Sequence, residues 1–395
     1  MKIVHIEDFF HPDAGYQLNI LAKYMVQMGH SVTILTAETK KVPDNLKVFF
    51  DCENIGVRDK CYTDKYGVKI VRVALKTFVS GRAVFDRAIF RRISEEGADV
   101  IFVHGNNTLI AMQCLLRRKK IGVPLVMDCH MLEMASKNKF KILFETVYKA
   151  FFAPIIRREG IPVIRIQEDA YVQKCLGIPL SQCPWISVGS DTMLFHPDDV
   201  ARRRFREAHE ISENAFVVLY AGKLDESKGG MLLAEALKDK FCGDRELVAV
   251  IVGKSVGEYG DNVETMLGES GNRIIRLPTQ RYEDLAYIYS ACDLAVFPKQ
   301  CSLSFYDVEA CGLPVVFEDN QINSARAAHG NAVVFKQGDV QDFREKIMSL
   351  YNLPPADFLA MKRRCVDFVR ANYDYSDIAK QYMKVIEKAV SCYKR

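Results

Sequence analysis

The stretch FVVLYAGKLDESKGG, residues 216–230, joins an apolar strand to a loop rich in glycine and lysine. Its first part, FVVLYAG, is apolar on both faces, which is typical of a strand inside a parallel sheet. Gly222 ends this strand, and Lys228 precedes two glycines near the start of the next helix. Lys223 and Lys228 beside helix amides would suit a diphosphate, but the phosphate-binding pattern GxxxxGK[ST] is absent, and exposed lysines on a turn fit the spacing as well.

Similar apolar runs alternate with helical stretches along the whole chain. They form two series: KIVHI (2–6), SVTILTA (31–37), VKIVRV (68–73), DVIFVHG (99–105), PLVMDCH (124–130) and PVIRIQ (162–167), then FVVLYAG (216–222), LVAVIVG (247–253), RIIRLP (273–278), LAVFPK (294–299), PVVFED (314–319) and AVVFKQG (332–338). Each series predicts an α/β domain with a doubly wound parallel sheet. We therefore expect an N-terminal domain of residues 1–190, a C-terminal domain of residues 191–372 and a linker within residues 185–199.

The composition excludes several classes of protein. The 395 residues are 49% hydrophobic and 26% charged, as in globular proteins. A net charge of +4, from 54 Lys+Arg and 50 Asp+Glu, does not favour nucleic-acid binding. The chain opens without a secretory signal and has no membrane-spanning apolar run. Twelve cysteines without CxxC predict reduced thiols in a cytoplasmic protein, and scattered histidines predict no metal site.

Loops that follow strands are the candidate binding elements. Ligands of wound sheets bind outside the carboxyl ends of the strands, so two facing sheets predict a cleft between the domains. In HPDAGYQLN, Gly15 lets the backbone approach a ligand and the helix beginning at Tyr16 offers amides to an anion, although an ordinary turn fits equally. In the loop of residues 298–316, Ser302 and Ser304 can cap the next helix or bind a phosphate.

Basic and aromatic residues are interleaved in two stretches of the N-terminal half. Residues 136–158, SKNKFKILFETVYKAFFAPIIRR, carry six basic side chains against one acid, and residues 78–92, FVSGRAVFDRAIFRR, are similar. A basic amphipathic helix suits an anionic membrane surface. A helix packed on its own sheet with solvated lysines fits the same pattern, so both interpretations stay open.

Several segments together carry a family resemblance. The chain resembles glycosyltransferase family 4 through Gly15 and the segments GHSVTILT (29–36), SVGSDTMLFHPD (187–198), YAGKLDESKG (220–229) and ACGLPVV (310–316), which occur in the family's order and spacing over nearly the whole chain. This resemblance implies the GT-B architecture, with two facing Rossmann-like domains. The N-terminal domain would bind the acceptor and the C-terminal domain a nucleotide-sugar donor. Residues 373–395 would form a helix that packs back on the N-terminal domain.

The resemblance also implies which residues bind the donor. Lys223, where the family usually has Arg, and Lys228 would contact the diphosphate. Asp307 stands at the second of two family glutamate positions and would keep the ribose contact. The first position holds Lys299, a departure which means either that the donor sugar is held differently or that sugar-donor activity is lost. The full donor-binding set expected is Gly15, Gly222, Thr279, Lys299, Ser302, Leu303, Ser304 and Asp307.

On the acceptor side, the resemblance places His130 near the donor sugar. His104 is the second choice, and Tyr16 and Asn106 are further acceptor-side candidates, although a histidine after a strand is often structural. The family's reaction retains the anomeric configuration without a metal or other cofactor. The departing diphosphate would take the acceptor's proton, and the two lysines of the donor loop would stabilise its charge. His130 would orient the sugar or the acceptor.

These observations together predict a retaining hexosyltransferase of the cytoplasm, peripheral on the inner face of the membrane. It would transfer a sugar from a nucleotide-diphosphate sugar to a glycan or lipid-linked acceptor in cell-surface polysaccharide biosynthesis. Two alternatives stay open. One is a nucleotide-sugar epimerase of the same fold, and the other is a non-catalytic nucleotide-sugar-binding subunit, which Lys299 motivates.

Overall fold

The chain divides into two compact units. The computed structural model describes residues 1–42, 52–79, 81–131, 141–168, 170–299 and 302–393. Unit 1 comprises Met1–Val188 and Tyr375–Arg395, and unit 2 comprises Gly189–Asp374. The domain boundaries expected from the sequence lie within two residues of the boundaries between these units.

Unit 1 is built on six parallel strands in the order β3-β2-β1-β6-β7-β8. They are β1 (Lys2–Glu7), β2 (Ser31–Ala37), β3 (Lys69–Val73), β6 (Val100–Val103), β7 (Leu125–Cys129) and β8 (Val163–Arg165). Each coincides with a predicted run. Apart from those of the edge strand β3, their apolar side chains are buried on both faces because helices cover both sides of the sheet.

The described helices of unit 1 connect these strands. They are α1 (Gln17–Gln27), α2 (Ile55–Tyr66), α3 (Ala88–Glu96), α4 (Leu109–Ile121), α5 (Lys141–Val147), a π-helical turn (Tyr148–Phe152), α6 (Ala153–Glu159) and α7 (Tyr171–Lys174), with 3-10 turns at Thr39–Lys41 and Leu180–Gln182. Helix α4 begins where Thr108 accepts a hydrogen bond from the amide of Ala111, at 3.2 Å.

The basic–aromatic stretch of residues 78–92 contains a hairpin that the sequence did not predict. Strands β4 (Leu75–Val79) and β5 (Arg82–Phe85) pair in antiparallel fashion, apart from the main sheet. Phe85 is buried, and Phe78 and Phe90 pack against the core of unit 1. Phe78, Phe85 and Phe90 therefore contribute to the core, which for these residues favours packing within unit 1 among the two interpretations left open.

Unit 2 repeats the architecture, with six parallel strands in the order β11-β10-β9-β12-β13-β14. They are β9 (Phe216–Ala221), β10 (Leu247–Val252), β11 (Arg273–Leu277), β12 (Leu294–Phe297), β13 (Val315–Glu318) and β14 (Ala332–Phe335). The helices are α8 (Asp199–Ala208), α9 (Gly230–Ala236), α10 (Gly257–Gly268), α11 (Tyr282–Ala291), α12 (Phe305–Ala310), α13 (Gln321–Ala327), α14 (Val340–Tyr351) and α15 (Pro355–Asn372), with a 3-10 turn at Glu226–Lys228. The predicted doubly wound sheets are thus confirmed.

Helix α16 (Tyr375–Cys392) returns to unit 1. The side chain of Gln17 in α1 donates a hydrogen bond to the Tyr382 hydroxyl. The rings of Tyr24 and Tyr375 stack with centroids 6.2 Å apart. Within the described part of the chain, no helix has the length and apolar character needed to cross a membrane.

Candidate active site

The candidate site of unit 1 lies where the strand order of its sheet reverses. Strands β1 and β6 are neighbours, but the chain passes from β1 to β2 on one side and reaches β6 later on the other. The crevice at the carboxyl ends of two such strands is the usual binding position in wound sheets. Glu7 ends β1, His104 follows β6, and Asp128 lies in β7 just before His130.

Three histidines and one carboxylate form a hydrogen-bonded network there. Asp128 Oδ2 bonds His104 Nδ1 at 2.7 Å and His130 Nε2 at 3.1 Å, and Oδ1 accepts from the amide of Gly105 at 2.6 Å. His104 Nε2 continues the chain to His5 Nδ1 at 2.9 Å. A single buried carboxylate therefore positions both post-strand histidines.

The network favours a positive charge on the imidazole of His130. Burial alone would raise the pKa of Asp128, but His130 and His104 hold it far below its usual value. Burial lowers the pKa of His130, yet the charge and hydrogen bond of Asp128 outweigh this and raise it. The pKa of His5 falls well below normal because of its burial and the nearby His104. His130, with 40% of its side chain exposed, thus presents the charge to ligands.

Two acids lie beside this network at the end of β1. Burial raises the pKa of Glu7, and it raises the pKa of Asp8 to about 7, an effect that the neighbouring Glu7 strengthens. Arg82 lies 3.9 Å from Asp8 and opposes the shift. Tyr16 is 47% exposed, and burial and Glu7 raise the pKa of its hydroxyl. Asp8, with a pKa of about 7, can donate a hydrogen bond to a hydroxyl of a sugar or an acceptor when it is protonated.

The side chains of this cluster are also of the types that bind metal ions. Ligand atoms of His104, Asp128 and His130 lie within 4.8 Å of one another. Two ligands of one tetrahedral zinc ion, each about 2.1 Å from it, stand about 3.4 Å apart. The 2.7 Å between His104 and Asp128 is instead a hydrogen-bond distance. The donor set thus fits a hydrogen-bonded network better than a metal centre, and the absence of a metal stays a prediction.

Two acceptor-side candidates are corrected by their burial. His104 is 3% exposed, and both its ring nitrogens have partners within the network. Asn106 is fully buried, where its side-chain NH₂ donates to the Tyr148 hydroxyl at 3.2 Å and its main-chain carbonyl accepts from that hydroxyl at 3.1 Å. Both side chains therefore support the site from the interior. His130 and Tyr16 are the candidates that reach solvent.

The candidate site of unit 2 occupies the equivalent position, between β9 and β12. A Cβ at Gly253, after β10, would lie 1.9 Å from the carbonyl oxygen of Gly222, after β9. A Cβ at Gly229 would lie 3.0 Å from that of Lys299, after β12. Only glycine permits these close approaches, which bring three post-strand loops together.

The loop of residues 222–229 between β9 and α9, called the lysine loop, is held in place at both ends. The Tyr220 hydroxyl donates to the carbonyl of Lys223 at 2.5 Å. The amide of Lys228 donates to Asp225 Oδ1 at 3.0 Å, which begins the 3-10 turn of residues 226–228. Partial burial lowers the pKa of Lys223, and Asp225 opposes this effect. Thr279 Oγ1, after β11, is buried and has no hydrogen-bond partner within the described residues.

The segment of residues 298–316, which follows β12, differs from the prediction in several details. Burial raises the pKa of Asp307 to about 8, although Ser190 Oγ at 2.7 Å and the Tyr282 hydroxyl at 3.1 Å donate to its Oδ1. The side chain of Ser304 does not cap α12, so the expectation of a helix cap at this residue is wrong. Ser302 Oγ accepts a hydrogen bond from the Ser304 amide at 3.3 Å. Lys299 is exposed, as is Leu303 at 43%. Residues 300 and 301 lie outside the described part.

Sequence reasoning missed the partners of these residues. Asp128 and His5 stand inside strands, where a single polar residue is a weak signal of a buried network. Glu7 and Asp8 directly follow an apolar run, and that position could have identified them. Ser190 and Tyr282 lie far from Asp307 in sequence, so nothing local indicated their hydrogen bonds.

Two family comparisons match these units separately. The family "Glycosyltransferase Family 4" matches residues 15–158, in unit 1. The family "Glycosyl transferases group 1" matches residues 201–367, in unit 2. The chain belongs to glycosyltransferase family 4.

Curated relatives of this glycosyltransferase carry one kind of name. D-inositol 3-phosphate glycosyltransferase 1 of Catenulispora acidiphila is 25% identical over 316 residues, which cover 74% of this chain and 73% of the relative. A D-inositol 3-phosphate glycosyltransferase of Mycobacterium sp. strain KMS is 31% identical over 193 residues, or 45% of this chain and 41% of the relative.

Solved structures share the GT-B fold of this glycosyltransferase over nearly its full length. A Rickettsia africae glycosyltransferase aligns with a TM-score of 0.74 at 13% identity, covering 99% of each chain. Anabaena HepE in complex with UDP-glucose aligns with a TM-score of 0.74 at 18% identity, covering 98% of this chain and all of HepE. At these identities the likeness concerns the fold.

Proposed function

We propose that this glycosyltransferase moves a sugar, with retention of configuration, from a nucleotide-diphosphate sugar to a glycan or lipid-linked acceptor in cell-surface polysaccharide biosynthesis. The observation that carries the proposal is the convergence of three loops at the carboxyl edge of the unit 2 sheet. There, the close approaches at Gly222, Gly253 and Gly229 fix the backbone of the loop that carries Lys223 and Lys228. Backbone amides and two ammonium groups form a diphosphate site without a metal.

The donor side of the proposal rests on unit 2. Thr279, with its buried and unpartnered hydroxyl, suits the nucleotide base or ribose. Asp307, neutral over much of the physiological range, can donate as well as accept a hydrogen bond to the ribose. UDP-glucose bound to HepE, of the same fold, makes UDP-sugars the first donors to test.

The reaction needs little acid–base chemistry from the protein. An acceptor oxygen bonds the anomeric carbon while the bond from that carbon to the phosphate oxygen breaks. The acceptor's proton passes to the departing phosphate on the same face, so the configuration is retained. Lys223 and Lys228 stabilise the growing phosphate charge, and His130, whose raised pKa favours the protonated ring, orients an oxygen of the sugar or the acceptor.

Lys299 sets the choice of donor sugar in this proposal. It is exposed at the end of β12 and packs beside Gly229 of the lysine loop. A cation there would attract an anionic sugar and could donate a hydrogen bond to the carbonyl of an N-acyl group. The alternative function, a non-catalytic subunit that binds nucleotide sugars, rests on this same departure from the family pattern.

A calorimetric and kinetic experiment tests the proposal. Nucleotide sugars with neutral, N-acylated and uronic-acid groups are titrated into the protein, and those that bind are assayed for transfer and for slow hydrolysis without acceptor. Lys228→Ala should weaken binding, while Lys238→Ala, an exposed lysine at the end of α9, should not. Binding with neither transfer nor hydrolysis across acceptors would favour the non-catalytic subunit, and the absence of any binding would refute both functions.

We also propose a peripheral location on the cytoplasmic face of an anionic membrane. Within residues 136–158, of which 136–140 lie outside the described part, Ile142, Leu143 and Phe151 are 80%, 63% and 65% exposed. Apolar side chains beside lysines suit the interface of a bilayer. Flotation with phosphatidylglycerol liposomes should recover the protein at low salt and lose the variant Ile142→Ser/Phe151→Ser. The control Leu116→Ser changes an equally exposed leucine elsewhere in unit 1 and should still float.

A further inference from the structure

A cavity of unit 1 lies at the opposite edge of the sheet from the candidate active site. It has a volume of about 670 Å³ and opens where β7 and β8 begin. The last turns of helices α4, α6 and α16 surround it. Cavities that hold small organic ligands commonly measure about 300–1,000 Å³, so this one has a suitable size.

Strand β7 separates this cavity from the histidine network. Leu125, at the start of the strand, lines the cavity, whereas Asp128, three residues later, belongs to the network. At about 3.3 Å per residue, the two lie about 10 Å apart along the strand. The cavity is therefore a separate place in the fold, with no residue in common with the network.

The wall of the cavity is strongly basic. Four cationic side chains line it, from Arg118, Lys119, Arg157 and Arg158, against one carboxylate among the described lining residues, that of Glu159. Glu159 accepts from Arg118 at 2.8 Å and from Arg158 at 3.0 Å. Three positive charges therefore remain unbalanced at the wall.

One of these arginines is fixed in advance. The side chain of Arg118 is 15% exposed, and its second terminal nitrogen bonds the carbonyl of Leu115 at 3.0 Å. Its Nε is buried and has no hydrogen-bond partner within the described part of the chain. A guanidinium already held in place loses little side-chain freedom when it binds an anion.

Helix dipoles account for part of this charge but not for all of it. Basic residues in the last turn of a helix complement its dipole, which amounts to roughly −0.5 of a charge at each C-terminus. Three helix ends thus neutralise at most about 1.5 charges. After Glu159 and these helix dipoles are counted, more than one positive charge of the described lining is left. Compensation of the dipoles therefore does not explain all the basic side chains of this cavity.

We propose that this cavity binds an organic phosphate. The phosphate would lie against Lys119 and Arg157, both exposed at the rim, with Arg118 behind them. The organic part would pack on the apolar side of the wall, which includes Ile161 and the ring of Tyr393. Free phosphate esters and phospholipid headgroups share this chemistry.

The test compares two probes and two matched double variants of the full chain. Phenyl phosphate is titrated by calorimetry at low salt, and binding to phosphatidylglycerol vesicles is measured by cosedimentation. Lys119→Gln/Arg157→Gln removes two rim cations. Lys120→Gln/Arg91→Gln removes the same charge from exposed positions of unit 1 outside the cavity.

The rim variant should weaken binding of at least one probe tenfold or more, and the control variant should change it less than twofold. A loss confined to phenyl phosphate assigns the cavity to free phosphate esters, and a loss confined to vesicles assigns it to lipid headgroups. Equal losses in both variants, or no measurable binding of either probe to the wild-type protein, overturn the proposal. Unchanged donor binding in both variants separates this outcome from a failure of the proposed activity.

Discussion

Replacement of Asp128 by asparagine should lower the pKa of His130 by at least about one unit. The introduced carboxamide would keep an oxygen for the amide of Gly105, which donates to the carboxylate at 2.6 Å, but it would turn an NH₂ group toward His104 and His130. Both imidazole nitrogens facing this side chain would then have to accept hydrogen bonds, so both rings would be neutral. Losing one charge-assisted bond of about 1.5–3 kcal/mol corresponds to one pKa unit or more, at about 1.4 kcal/mol per unit.

The same substitution should change how stability depends on pH. Because the pKa of His130 is raised in the folded protein, its stabilisation is complete below the unfolded pKa and is lost as pH rises through the folded value. Asp128→Asn should therefore lower the free energy of unfolding by about 3 kcal/mol at pH 5.5 and by less at pH 8.5.

Histidine Cε1–H resonances and urea unfolding measure the two effects. His130→Gln assigns the resonance, and Asp99→Asn, which changes an exposed carboxylate at the start of β6, is the control. A His130 titration that is the same in the wild type and in Asp128→Asn would refute the network as the cause of the shift.

Three further predictions concern unit 2. Lys228→Ala should lower kcat/KM at least about tenfold, or about 1.4 kcal/mol, because a diphosphate charge loses its partner. Gly253→Ala should destabilise the protein by more than about 3 kcal/mol in thermal unfolding, because its Cβ would meet the carbonyl oxygen of Gly222 at 1.9 Å. Because the pKa of Asp307 is raised to about 8, its stabilisation is complete below the unfolded value of about 4 and is lost as pH rises to the folded value. Asp307→Asn should therefore flatten the decline of urea stability between about pH 4 and 8.

Each of these three predictions has a control variant or a result that would contradict it. Lys238→Ala should retain kcat/KM, and near-normal transfer by Lys228→Ala would remove that lysine from the site. Gly257→Ala, at φ +69° with nothing within 4 Å of the added Cβ, should cost only about 1 kcal/mol. A wild-type pH profile that Asp307→Asn leaves unaltered would show that the carboxyl does not titrate near 8.

The twelve strands of the two sheets could be predicted because a strand buried on both faces must be apolar throughout. The β4–β5 hairpin could not, since Lys76 and Arg82 interrupt its apolar pattern and its aromatic residues resemble a surface stretch. The lysine loop and His130 were found because they directly follow strands. Their functional roles stay predictions.

The direction in which a side chain points after a strand was beyond sequence reasoning. The side chain of Asn106 turns inward, where its NH₂ donates to the hydroxyl of Tyr148, 42 residues away. The proximity of Gly229 and Lys299 depends on β9 and β12 being neighbours, which only the order of strands in the sheet decides. Such long-range pairings follow from packing and leave no local pattern.

The return of α16 to unit 1 has a consequence for biosynthesis. Unit 2 is continuous in sequence, but unit 1 needs Tyr375 and Tyr382 to pack against α1. A ribosome adds about 5–20 residues per second, so the first strands of unit 1 wait roughly 20 s or more for this helix. Unit 2 can finish folding during that interval, while α1 keeps an apolar face uncovered. Of these two units, the one synthesised earlier is therefore the one completed later, and a chaperone that shields α1 would act in that period.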